Sequence, residues 1–356
     1  MTQINRKRFN KNQNKISWSL LILPFLLWAF YKSSLYLGDS KLNINESVSS
    51  LSSSFGIFSP LFSFFLKCFF FFLPVFALLI FELTRVDFKD SSIGRISRSK
   101  GFKYADIYYY FMHLLGVQFP LLISLVTLNI AFTYQGLSNW LNSIIEPLLG
   151  GNTSQFSLSI FLILAILLQD FKSYAVHYIC HKNPFFWDLH EFHHSPTEMT
   201  ILSQQRDNNL IGAFLNPLFL PIVVLAPLLV NLSLSKGYII PVVIYTVDLF
   251  IVLMGSLFGH SSVKLIFPKF LSYIYMSPAL HWIHHSINPE HYDKNLGMKF
   301  PFWDKIFGTY LDESHLKDIK GYGVENTEYN RYNPFYTYYL LPWKKIFRRI
   351  RNTLPA

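Results

Sequence analysis

Apolar runs long enough to cross a bilayer restrict this chain more than any other feature of its sequence. A helix needs about 20 mostly apolar residues to span the hydrocarbon core. Six stretches reach that length: Ile16 to Leu37, Phe55 to Leu83, Tyr108 to Tyr134, Phe156 to Cys180, Leu210 to Val230 and Tyr238 to Gly259. The second is long enough to tilt or to include an interfacial turn. Of the 356 residues, 51% are hydrophobic and 15% charged, which is more apolar than an ordinary soluble domain. The expected fold is therefore an all-α integral membrane protein, a multi-span helical bundle. Pro217, Pro221, Pro227 and Pro241 are the expected kink sites in its last two spans, and Asn183-Pro184 is an expected helix break.

The formal charge of +10 would suit nucleic acid, but the cations are sorted by loop. Arg6, Lys7, Arg8, Lys11 and Lys15 precede the first run, and Arg85, Lys89, Arg95, Arg98, Lys100 and Lys103 follow the second. The alternate loops hold Lys41, no cation between Gln135 and Gln155, and Lys236. By the positive-inside rule the N-terminus, residues 84 to 103, residues 181 to 208 and everything after His260 are cytoplasmic. This is membrane topology, not a nucleic-acid footprint. The basic stub leads into a long run with no small-residue cleavage site, so it reads as a retained anchor. A bacterial inner membrane and the endoplasmic reticulum both suit this arrangement. Asn45, Asn152 and Asn231 head N-x-S/T triplets on the outer side. Cys68 and Cys180 provide no disulfide framework and read as apolar filler.

The chain divides into residues 1–155, membrane-anchoring helices with a basic cytoplasmic loop, residues 156–311, which hold most of the histidines, and residues 312–356, a basic amphipathic tail. In that tail Trp343, Ile346, Phe347 and Ile350 share a helical face, with Lys344, Lys345, Arg348, Arg349 and Arg351 around it. It is expected on an anionic cytoplasmic leaflet.

The twelve histidines are concentrated in three clusters. His281, His284 and His285 fall at i, i+3 and i+4, as do His190, His193 and His194, and His177 and His181 stand four apart. Such spacings place the imidazoles on one helical face. Imidazole suits iron, zinc, copper and nickel, and these candidates exceed what one ion can use, so two ions are expected. The charge pattern puts all three clusters, with His260, at or beyond the cytoplasmic ends of spans, forming a cytoplasmic histidine-rich helical cap. The isolated His113 and His315 read as structural or exposed.

The order HxxxH, HxxHH, single His, HxxHH resembles the fatty acid hydroxylase superfamily. So do Trp187-Asp188-Leu189-His190-Glu191-Phe192-His193-His194-Ser195, His281-Trp282-Ile283-His284-His285-Ser286, Asp293-Lys294-Asn295-Leu296-Gly297 and Trp303-Asp304-Lys305-Ile306-Phe307-Gly308-Thr309. With Asp170 and Tyr174 the resemblance covers roughly residues 165 to 311. Arg206, Asn295 and Gly297 are similar to the sterol desaturase-like and alkylglycerol monooxygenase-like branch. Leu296 departs from a common aromatic and Tyr178 from a common arginine. His260 lacks the partner four residues on that fatty acid 2-hydroxylases have.

The resemblance implies a di-iron, O2-dependent enzyme that hydroxylates or desaturates a lipid of sterol, fatty acyl or alkylglycerol type, or cleaves its ether. It implies His177, His181, His190, His193, His194, His260, His281, His284 and His285 as ligands of two iron ions, with His291 a further ligand or an outer group. Ligating imidazoles usually give their other N–H to a carboxylate or carbonyl, which makes Asp170 the leading candidate for that supporting role. Asp293 and Asp304 are placed between that role and folding of the cap. Tyr174 is expected to orient a ligand. No His-Pro-Gly-Gly segment, Rossmann glycine pattern or iron–sulfur cysteine set is present, so electrons are expected from a separate cytochrome b5, ferredoxin or reductase. The alternative is a histidine-rich metal transporter or zinc-binding protein. Transporters, however, place ionisable ligands near the middle of the membrane.

Overall fold

The last three apolar runs form helices, and the ends of two of them carry histidines. The structure is a computed structural model that describes residues 73, 75–99, 104–114, 136–137, 139–149, 151, 153–207 and 209–353. The expected run from Ile16 to Leu37, Lys67, Cys68 and most of the second and third runs lie outside the described residues. Helices labelled here are α1 (Ala105–Leu114), α2 (Gln155–Lys182), α3 (Pro184–His194), α4 (Leu220–Ser235), α5 (Ile239–His260), α6 (Ala279–His284), α7 (Phe302–Phe307) and α8 (Leu341–Thr353). Among the described residues there is no strand, only one isolated bridge between Ser286 and Tyr322.

Among the described residues three helical stretches are long and apolar enough to cross a membrane: Gln155–Lys182, Asn216–Ser235 and Ile239–His260. The middle one departs from the expected run at Leu210. Asn209–Leu215 is a separate helix, Asn216–Phe219 is a 3-10 turn, and α4 begins only at Leu220. The cause is local, because Asn216-Pro217 removes a backbone donor and resists the α conformation just before it. Pro221 then sits in the first turn of α4 and Pro227 lies inside it.

Helix α2 starts at Ser154, whose side chain accepts the Ser157 N–H. Its 28 residues extend about 42 Å, more than the ~30 Å hydrocarbon core, so its final turns, with His177 and His181, reach past the apolar layer. Asn183 then does two things. It ends α2 in extended geometry, and its side chain caps α3 by accepting from the Phe185 and Phe186 N–H groups, with Pro184 in the first turn.

Leu158, Leu162, Ala165 and Ile166 of α2 pack with Ala226, Leu229, Val230 and Leu232 of α4 and Tyr245 of α5. The opposite faces leave Phe156, Ile160, Phe161, Ile163 and Leu164 exposed, and on α5 Ile239, Ile240, Val243 and Val247, as lipid-facing sides would be.

Buried charge networks tie the polar cap to helices, among them those of Glu82 and Arg206. Glu82 is fully buried and accepts from the Ser92 N–H (2.8 Å) and hydroxyl (3.0 Å), the Ser261 hydroxyl (2.8 Å) and the Ser262 N–H (2.6 Å). That bond set ties helical residues 75–85 to the segment just after His260. Arg206 donates to Asp106 of α1 (2.6 Å), the Ser195 hydroxyl (2.9 Å) and Asn330 Oδ1 (2.9 Å), with both ion-pair partners buried.

Several cations of the expected amphipathic tail pair with carboxylates of the protein. In α8, Lys345 pairs with Glu191 (2.6 Å) and Arg349 with Asp188 (2.5 Å), both acids on α3, while Arg348 pairs with Glu328 (2.6 Å). Trp343 and Ile346 pack beside Cys180 and Leu189, and Phe347 and Ile350 remain exposed. Lys345 and Arg349 of α8 thus meet carboxylates of the histidine helix α3.

Removing one member of a buried ion pair strands the other, which typically costs roughly 3–5 kcal/mol. Asp106→Ala is therefore expected to lower the thermal unfolding midpoint in detergent by several degrees. An unchanged midpoint would mean that Arg206 has no need of its partner.

Candidate metal centre

All nine histidines expected as ligands converge, and they separate into two groups. One holds His177, His181, His190, His194 and His284, the other His193, His260, His281 and His285, with the facing ligand atoms of each group within 4.8 Å of one another. Both HxxHH segments contribute to both groups. In α3 the neighbours His193 and His194 point to different groups, as do His284 and His285. Adjacent residues diverge by about 100° on a helix, so consecutive histidines serve two points, while the i−4 companions, His190 of His194 and His281 of His285, share a group.

His285 lies just past the last turn of α6 and its backbone N–H donates to His281. The two spans that bring histidines from the membrane side are α2, with His177 and His181, and α5, with His260 at its last position. At Gly259 a Cβ would stand 3.2 Å from the His281 ring, so the missing side chain lets that imidazole lie against the end of α5.

The geometry suits metal ions. His177 and His190 approach Nε2 to Nε2 at 3.1 Å, and the pairs His260–His281, His193–His285 and His281–His285 at 3.0 Å. Two imidazole nitrogens bound at about 2.1 Å and at a right angle would stand roughly 3.0 Å apart. The Nε2 atoms of His181, His194 and His284, all in the first group, are buried with no hydrogen-bond partner. A buried polar atom without a partner is rare, and three aimed at one point are explained by a shared cation.

Burial, reinforced by neighbouring imidazoles, holds His190, His194, His281, His284 and His285 well below the usual histidine range, and burial with His260 and His181 does the same for His193. All six are neutral at pH 7 and keep a lone pair for a ligand bond.

The outer nitrogens explain the ring orientations. His177 Nδ1 donates to the Leu296 carbonyl (2.8 Å), His284 Nδ1 to the Lys294 carbonyl (2.8 Å) and His181 Nδ1 to Asp293 Oδ1 (3.2 Å). Three rings of the first group are thus held by residues 293–296. His260 Nδ1 meets the Ser203 hydroxyl at 3.0 Å, and His193 hydrogen-bonds the Arg206 backbone. Asp293 also accepts from Lys182 (2.5 Å). The His181 and Lys182 bonds hold its carboxyl down at about 2, so it is a carboxylate at neutral pH.

The segment 293–297 is itself rigidly built. Asp293 and Asn295 have φ of 57° and 55°, a region that asparagine and aspartate tolerate better than most residues. Asp304 accepts the Leu296 and Gly297 N–H groups, both at 2.8 Å, and the Thr309 hydroxyl at 2.6 Å. A Cβ on Gly297 would fall 2.6 Å from that carboxylate, so glycine is required there. Asn295 accepts the Leu311 N–H (2.9 Å).

Asp170 and Tyr174 are placed differently from the sequence expectation. Asp170 accepts from the Lys299 N–H (3.1 Å), the Phe300 N–H (3.2 Å) and Trp303 Nε1 (3.1 Å). It lies two helical turns before His177, too far along α2 to receive that ring's N–H, and fastens residues 299–303 instead. The Tyr174 hydroxyl meets the Thr309 hydroxyl at 3.0 Å. Both residues support the loop that holds the rings rather than the rings themselves.

His291 belongs to neither group. It is buried, both its nitrogens lack partners, and it packs against His315 with centroids 5.9 Å apart. Sequence reasoning did not single out Ser203 or the Lys294 and Leu296 carbonyls. The Ser203 hydroxyl gives no pattern of its own, and a backbone carbonyl has no sequence signature.

Residues 162–309 match the family model described as fatty acid hydroxylase. Alkylglycerol monooxygenase of Caenorhabditis elegans is 29% identical over 182 residues, 51% of this chain and 32% of that protein. The Xenopus tropicalis protein of that name is 25% identical over 173 residues, 48% of this chain and 34% of its own length. The human one is 28% identical over 151 residues, 42% and 30% respectively. The match thus spans well under half the length of these relatives. No solved structure matches the chain.

Losing the outer partner of a metal-bound imidazole typically weakens metal affinity roughly 10–100-fold. Asp293→Ala is expected to do so for an ion held by the first histidine group, read by chelator competition. Unaltered metal affinity would assign Asp293 to folding alone.

Proposed function

The chain belongs to the fatty acid hydroxylase superfamily through its residues 162–309, and from that premise we propose that it is a membrane-bound, di-iron, O2-dependent oxidoreductase that hydroxylates or desaturates a lipid. The observation that carries this reading is the pair of all-histidine groups opening onto one cavity. The cavity, of about 480 Å3, has His177 and His190 of the first group and His193, His260 and His281 of the second in its wall. One substrate carbon in it can therefore face both groups.

Two irons held by imidazole would supply the activation of O2 that breaking an unactivated C–H bond requires. In a hydroxylation that C–H bond breaks and a C–O bond forms. The second oxygen atom leaves as water, with two electrons and two protons taken from a separate cytochrome b5, ferredoxin or reductase. Desaturation uses the same inputs, removes two hydrogens from the lipid and yields two waters. Hydroxylation of the carbon beside an ether oxygen would cleave an alkylglycerol, the substrate type in the names of the relatives.

The protein's own groups do the positioning. Burial keeps the imidazoles neutral and able to ligate, and the carbonyls of Lys294 and Leu296 with Asp293 keep three rings of the first group from rotating. Orientation fixed before the reaction is a major source of catalytic advantage. Between α2, α5 and the cap the cavity offers a lipid a path from the bilayer without full transfer to water. We place the cap on the cytoplasmic side, where soluble or membrane-tethered electron donors reach it.

A transporter would gather ligands midway along its spans. Here they gather at the ends of α2 and α5 and on α3 and α6, which favours the oxygenase.

His284→Ala is expected to remove one of the two ions and to abolish lipid oxidation, read by metal analysis and lipid mass spectrometry. Full turnover with unchanged metal content would overturn the assignment.

A further inference from the structure

The cavity carries a feature that oxidation chemistry does not require. On α2, Lys172, Ser173, Val176, His177 and Cys180 all line it, the i, i+1, i+4, i+5 and i+8 positions of one helical face. Lys172 is the one lysine or arginine among the described residues of that lining. It stands ten residues before the end of α2, about 15 Å back along the helix axis, where the helix enters the apolar layer and a cation is kept by pairing or by facing a polar cavity.

The fold treats Lys299, beside α5, differently. Lys299 reaches across to Asp248 of α5 at 2.7 Å, both side chains buried. Lys172 has no ion pair or hydrogen bond among the described residues. Asp207, the one acid among the described residues of the lining, is exposed. A buried or half-buried cation left bare inside a substrate cavity lacks an anion, and a lipid occupying that cavity can bring one.

We propose that Lys172 binds the anionic end of the lipid substrate, a carboxylate or a phosphate, and so directs oxidation to the carbons beside that end. The assignment rests on the oxygenase reading for its second half only. Lys172 and His177 are separated by about 7.5 Å of helix rise, and both line one cavity of about 480 Å3. An anion held on the lysine therefore leaves only the first few methylenes within reach of the histidine wall. A neutral sterol or an unmodified alkylglycerol would leave the lysine unpaired, and it is disfavoured as the substrate.

Equilibrium dialysis of the purified, metal-loaded protein in neutral detergent tests this with two radiolabelled pairs. The first is hexadecanoate against hexadecanol, the second 1-O-hexadecylglycerol 3-phosphate against 1-O-hexadecylglycerol. Wild-type protein is expected to hold the anionic member of at least one pair about tenfold more tightly, as a charge-assisted contact would. Lys172→Gln is expected to abolish that preference while leaving neutral-ligand affinity and metal content unchanged, and Lys172→Arg to retain it. If the glutamine variant loses metal, Lys172→Met, an apolar side chain suited to a span, is read in its place.

A preference confined to the first pair identifies a carboxylate, and one confined to the second a phosphate. No anionic preference in the wild type, or a preference that survives neutralisation of Lys172, overturns the proposal. Binding is read without turnover. A protein that shows the preference but oxidises no lipid would therefore contradict the oxygenase reading and leave the lysine assignment standing.

Discussion

An imidazole that gives one nitrogen to a metal must place its other nitrogen somewhere, and in a buried site that requirement organises the structure around it. Here residues 293–296 take up the outer nitrogens of three histidines of one group, His177, His181 and His284. Those histidines come from the end of a membrane-length helix and from the short helix α6. The loop that joins them adopts left-handed conformations at Asp293 and Asn295. It is fastened from behind by Asp304, which takes two of its backbone N–H groups and the Thr309 hydroxyl. Ring orientation, loop conformation and the glycine at 297 are thus one connected constraint.

The same economy extends outward. Asp170 on α2 binds residues 299–303, so the helix that supplies two histidines also anchors the loop that orients them. On α3, alternate faces divide the work. His190, His193 and His194 turn inward, while Asp188 and Glu191 turn outward to the cations of α8. The tail therefore braces a histidine helix from its outer side. Glu82 and Arg206 make equivalent ties at the end of α5 and beside His193, and each polar network is satisfied by several donors or acceptors, as burial demands.

Much of this was legible in the sequence because two periodicities carry it. Apolar length marks the spans that become α2 and α5, and the i, i+3, i+4 spacing marks histidines that converge. The split into two groups also follows from that spacing, since neighbours on a helix must diverge. What escaped was chiefly long-range. The cations of Lys345 and Arg349 look the same in a membrane-bound helix as in one paired to α3, and only the folded chain brings Asp188 and Glu191 to them. Asp170 has the chemistry of a histidine partner, but its depth on α2 sets it against backbone N–H groups. The start of α4 moved from Leu210 to Leu220 because Asn216-Pro217 is a local break inside a run that is apolar throughout.

The central claim is that nine imidazoles form two adjacent metal sites with no carboxylate in direct contact with the ions. X-ray absorption at the iron edge, with metal analysis of the same purified protein, tests it most directly. The account predicts two irons per chain, a first coordination shell fitted by imidazole nitrogens with any remaining positions filled by water-derived oxygen, and an iron–iron scattering vector. One iron per chain, or a shell that requires protein carboxylate or sulfur, would contradict it.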